Sequence, residues 1–148
     1  MSIAGNIGHT RWPLDLKLLG WLAGFWAAVM IGQIVLSDLT YMPTPFHAIA
    51  LGMKFEGLAA RVAMAVQAMA LSTAGIGLVA ERRWGLWFAI VYMTEVALSR
   101  LIFMTAYLNN FTEVHNVRSS GFLGIAAVVI LLYLWIRAHD LIWDHPGP

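Results

Sequence analysis

Four runs of apolar residues dominate the chain: Leu14 to Leu36, Gly57 to Ala80, Trp84 to Leu108 and about Ser120 to Trp143. At 1.5 Å per residue, each is long enough to cross a hydrocarbon core of about 30 Å. They are apolar all round, with neither the strict alternation nor the shorter length of a spanning strand, so the pattern predicts four transmembrane helices. The fold class is all-α, an integral membrane four-helix bundle forming one domain over residues 1–148. Only short connections are predicted outside the spans. Glu81-Arg82-Arg83 joins the second and third, which are therefore antiparallel neighbours. Residues Asn109 to Ser119 form a longer polar link, with Asn109-Asn110 as a helix stop. After the first span, Thr44-Pro45 reads as an N-cap followed by proline at the first helical position. A short helix along the membrane surface is expected over Pro45 to Met53, with an irregular loop as the alternative.

Composition agrees. Of 148 residues, 60% are hydrophobic and 11% charged, with a mean hydropathy of +0.73, which a single water-soluble core of this size cannot hide. The net charge of +1 supplies no basic field for nucleic acid. With no cysteine, disulfides, thiolate metal sites and cysteine nucleophiles are excluded. The first apolar run is followed by Ser37-Asp38-Leu39-Thr40 and no small-x-small cleavage site, so it reads as an uncleaved span. Arg11, Lys17, Arg82, Arg83 and Arg137 fall on one side of the membrane, and Lys54, Arg61 and Arg118 on the other, an imbalance that predicts cytoplasmic termini. Trp12, Trp84, Trp87, Trp135 and Trp143 suit the inner interface, and Tyr41, Tyr107 and Phe111 the outer one. Trp21 and Trp26 fit neither belt, so at least one of them is expected to face lipid or another protein.

Two features bear on function. Gly20, Gly24, Ala28 and Gly32 recur every fourth residue in the first span and form a groove for close helix approach, within the bundle or between chains. Ala60, Met64, Ala68 and Ser72 repeat the theme imperfectly in the second span. Second, Gln33, Arg61, Gln67, Glu95 and Arg100 form a polar intramembrane set from the midplane outward. An ionisable group at mid-bilayer costs about 2.5–3.5 kcal/mol on insertion scales and needs compensation. Gln67 and Glu95 share a depth on antiparallel neighbours and are predicted to hydrogen-bond. Arg100, about 140° around the helix from Glu95, must find another partner. The set can act as structural glue or hold a lipid phosphate through Arg61 and Arg100. Alternatively it lines an outward cavity in which the two arginines hold an anionic group and Glu95 exchanges a proton.

Catalytic and cofactor signals are incomplete. His9, His47, His115, His139 and His145 all lie outside or at the ends of the spans, which disfavours axial haem ligation, and a zinc site from His47, His115 and Glu113 would need separate loops to converge. Methionines such as Met64, Met69, Met93 and Met104 form no tight copper-binding cluster. No phosphate loop, serine triad or His-Glu-x-x-His pattern is present. No cofactor or metal site is therefore expected.

The turn Gly77-Leu78-Val79-Ala80-Glu81-Arg82-Arg83-Trp84-Gly85-Leu86-Trp87-Phe88-Ala89, together with Glu95 and Tyr133-Leu134-Trp135-Ile136-Arg137, resembles the second half of small uncharacterised bacterial four-span proteins. Their pattern is Gly-Leu, a few residues, Arg-Trp-Gly or Arg-Trp-Ala, then an apolar helix. The resemblance implies a location in the bacterial inner membrane and no defined activity. The sequence reading favours a non-catalytic accessory subunit that packs against other membrane subunits or its own copies, and against lipid, with an energy-transducing complex as a candidate host. The alternative is a small transporter or lipid-binding protein built around the polar set.

Overall fold

The computed structural model describes residues 12–39, 47–108 and 114–143, with side chains over 12–37, 47–108 and 116–141. The protein is a multi-pass membrane protein built as an all-α four-helix bundle: α1 (Leu14–Leu39), α2 (Gly57–Val79), α3 (Arg83–Tyr107) and α4 (Val114–Trp143), each long and apolar enough to span. Three helices begin within a residue of the apolar runs that predict them. The fourth begins at Val114, six residues before Ser120, so part of the expected polar link is helical. Hydropathy cannot register such a turn, because a helix emerging from lipid has no need of apolar residues. Ser119 Oγ donates back to Asn116 O at 3.0 Å within this turn.

The expected surface helix over Pro45 to Met53 is corrected. Pro45 and Phe46 lie outside the described residues, and the rest of the segment belongs to a β-hairpin, β1 (His47–Ala50) and β2 (Met53–Glu56), paired antiparallel with Ala50 opposite Met53 and His47 opposite Glu56. Its two-residue loop, Leu51-Gly52, has φ of 51° and 75°, the paired positive values of a tight I′-type hairpin turn. A helix cannot pass through two left-handed residues. The proline and threonine signals were local, whereas the hairpin is selected by partners far along the chain.

Helix α1 packs along α2 and α3 along α4, α2 bridges to α3, and the hairpin lies against α2 and α3. The α1–α2 contact follows Leu16, Gly20, Ala23, Ala27 and Met30, in alternating steps of four and three, against Ala68, Leu71, Ala74, Gly75 and Leu78. A Cβ on Gly20 would sit 2.8 Å from Gly75 O, and one on Gly75 would sit 2.7 Å from Gly20 O, so the two backbones meet here. The four-residue stripe does not continue the contact. Each step of four overshoots a turn by about 40°, so the stripe winds off the interface. Gly24 and Ala28 are exposed, and open space lies where Gly24 and Gly32 would carry a Cβ.

At the C-terminal end of α2, Arg82 N donates to Gly77 O (3.0 Å) and Glu81 N to Leu78 O (3.2 Å), the bond pair of a Schellman cap with Glu81 in the left-handed position (φ 56°). The chain reverses so tightly that a Cβ on either Gly77 or Gly85 would run into the other's backbone. The Gly…Arg-Trp-Gly turn thus has a direct steric rationale.

Candidate functional site

Glu95 lies twelve residues from each end of α3, about 18 Å in at 1.5 Å per residue. Gln67 lies ten residues into α2, at about 15 Å. The predicted Gln67–Glu95 hydrogen bond is absent, because the hairpin takes both groups. Gln67 Nε2 donates to Ile49 O (3.2 Å), while Leu51 N donates to Glu95 Oε1 (3.3 Å). One turn beyond Glu95, Ser99 Oγ accepts from Gly52 N (3.0 Å), and Ser99 is only 3% exposed. The hairpin is therefore re-entrant: its four-residue strands, about 14 Å long, reach from the α4 start, where His47 Nε2 lies 3.1 Å from Asn116 Oδ1, to mid-span.

Physical chemistry demands such a socket. Non-helical backbone at membrane depth is tolerated only where protein or a water-lined cavity satisfies its polar groups. Antiparallel pairing leaves the tip amides and outward carbonyls of a two-stranded ribbon without partners. Gln67, Glu95 and Ser99 satisfy three of these groups. Gly52 is buried against Ile102, into which a Cβ would run.

Beneath the hairpin, residues of all four helices line a partly open cavity of about 420 Å³. Leu19, Leu78, Ala89 and Leu134 line one end. Gln67, Tyr92, Ser99 and Arg100 gather near the hairpin, with Ile49 of β1 among the wall residues. Arg100 Nη1 donates to the buried Ser120 Oγ at 3.5 Å, which is the partner on another helix that the sequence required. Glu95, Arg100 and Tyr92 lie within electrostatic reach of one another, although Glu95 and Arg100 form no ion pair.

The predicted polar set is thus only partly united. Gln67 and Arg100 line the cavity and Glu95 holds the hairpin tip, but Gln33 stands exposed on α1, and the half-exposed Arg61 does not line the cavity. Of the zinc candidates, Glu113 and the His115 side chain lie outside the described residues. Trp21 and Trp26 are both exposed, at 67% and 52%, and Trp26 also edges the cavity.

Sequence reading missed Ser99 and Ser120. Ser99 carried a usable signal, being four residues after Glu95 and hence on the same helical face. It also missed a second polar cluster at the Leu14 end. There Arg137 pairs with Asp15, lies 5.6 Å over the Tyr133 ring, and Lys17 Nζ meets Glu81 Oε1 at 2.5 Å while Trp12 N donates to Glu81 Oε2 at 3.2 Å. Comparison with family models, curated proteins and solved structures returns no match for this chain.

Proposed function

We propose that this protein is a membrane-embedded binding protein for a small lipophilic molecule, held in the cavity among the four helices. The observation that carries the reading is the cavity itself. Its volume of about 420 Å³ falls within the ~300–1,000 Å³ common for ligand sites, and its apolar walls carry a few convergent polar groups at one end. The hairpin adds support, since seating backbone at mid-span is costly and here it forms part of the cavity wall. Binding without chemistry is the role proposed, because the described wall residues bring together no nucleophile with a base. A bacterial inner-membrane location with cytoplasmic termini accompanies this proposal, resting on the turn resemblance and the distribution of basic residues.

The test is saturable binding of a neutral, polarity-sensitive lipophilic dye to the full chain in phosphatidylcholine nanodiscs, read by energy transfer from tryptophan, Trp26 being at the cavity edge. Ala126→Phe, which fills the cavity from α4, is expected to weaken binding about tenfold or more while the far-UV spectrum stays helical. Dye uptake that never saturates, or that ignores Ala126→Phe, would refute the reading.

One observation favours a second reading, the accessory subunit. Gly24, Ala28 and Gly32 leave an open small-residue strip on α1 that the described residues do not fill. Native electrophoresis of intact membranes discriminates: a complex lost on Gly24→Leu favours assembly, and migration as a lone chain with or without the change opposes it.

A further inference from the structure

Arg100 is the cationic group of the cavity wall, and its guanidinium is poorly answered. Arginine offers five N–H donors and no acceptor. Here its hydrogen bonding consists of the 3.5 Å contact to the neutral Ser120 hydroxyl, at the long limit for such a bond. The carboxylate nearest in sequence, Glu95, has Oε1 engaged by the hairpin tip and makes no ion pair with it. Among the described residues, every fully enclosed side-chain nitrogen or oxygen has a hydrogen-bond partner. The guanidinium nitrogens beyond Nη1 therefore retain accessible surface, and the space that Arg100 lines is the cavity.

The shape of that space is equally informative. From Arg100 to Ala89 the cavity wall follows α3 for eleven residues, about 16 Å, and it continues apolar to Leu78 and Leu134. It is a slot with one charge near one end. We infer that its ligand is a single-chain amphiphile with an anionic oxyacid head, the head on Arg100 about 10 Å below the hairpin end of α3 and the chain directed toward the Leu14 end of the bundle. This rests on the binding role proposed above and specifies its ligand class.

An oxyacid head presents only acceptors, matches the planar fork of a guanidinium, and gains a charge-assisted bond in a site of low dielectric. A neutral head would leave the partly buried cation with only Ser120 and the nearby Glu95 to answer it, and a cationic head would meet like charge. The nearby Glu95 carboxylate weakens the long-range field, so discrimination depends on direct contact with Arg100 rather than on attraction from a distance. A volume of about 420 Å³, toward the low end for ligand sites, suits one chain rather than two.

The experiment is competition against the bound dye in phosphatidylcholine nanodiscs by laurate, lauryl alcohol, laurylamine and acetate at a pH where laurate is ionised. Laurate is expected to displace the dye at a concentration about tenfold or more below lauryl alcohol, with laurylamine and acetate weaker still. Arg100→Gln should remove the preference for laurate over the alcohol, and Arg100→Lys should keep part of it. If dye binding saturates but laurate and lauryl alcohol compete equally in the wild-type protein, the anionic class is overturned and the binding role stands. Displacement by acetate as effective as by laurate would overturn the single-chain class. Absence of saturable dye binding would remove both readings together. The wild-type comparison decides the matter even if Arg100→Gln fails to fold.

Discussion

The two polar regions of this bundle solve different problems. At the Leu14 end, Asp15, Lys17, Glu81 and Arg137 pair charge with charge between segments, and their side chains remain 31–39% exposed. At mid-span, Gln67, Glu95 and Ser99 turn instead to backbone, completing the hydrogen bonding of a hairpin that lipid could not solvate. The contrast teaches that an intramembrane polar side chain need not answer another side chain. Its partner can be a peptide group from a segment with no polar side chain at that point, as at Ile49, Leu51 and Gly52.

This difference predicts a gradient of consequences. Gly52→Ala should be the most severe, destabilising the fold by about 2–5 kcal/mol, since a left-handed L-residue costs roughly 1–2 kcal/mol and overpacking against Ile102 adds about 1–3. Thermal unfolding in nanodiscs measures it, and an unchanged midpoint would mean that the tip is not seated. Ser99→Ala follows, at about 1–3 kcal/mol, because it orphans the buried Gly52 N–H. Hydrogen exchange should accelerate at Gly52 and leave the Leu14 end untouched. Asp15→Asn is expected to have the smallest effect and one that shrinks as salt is added, because partly exposed pairs are screened. An Asp15→Asn change as damaging as Ser99→Ala would erase the distinction between the regions.

What could be read in advance follows the same division. The helices were legible because lipid imposes a long apolar run on every span, a property each segment carries locally. Glu95, Gln67 and Arg100 were legible as costly residues needing partners, yet the partners were not. Gln67 and Glu95 share a depth on neighbouring helices, but the hairpin that engages both of them cannot be deduced from depth alone. The hairpin is hidden because Leu51-Gly52 is a weak turn signal beside Asn-Gly, and because its bonds to the helices join residues 18 to 69 positions apart. The small-residue stripe gave α1 its close contact at Gly20 and then diverged, since a constant step of four does not track a helix of 3.6 residues per turn.

The separation between the hairpin and its acceptors also sets an order of assembly. Chains emerge from the N-terminal side first, so Leu51 and Gly52 are made before Glu95 and Ser99 exist to receive them. Until α3 is made, those two amides lack their Glu95 and Ser99 acceptors, and α2 offers the hairpin only the Gln67–Ile49 bond.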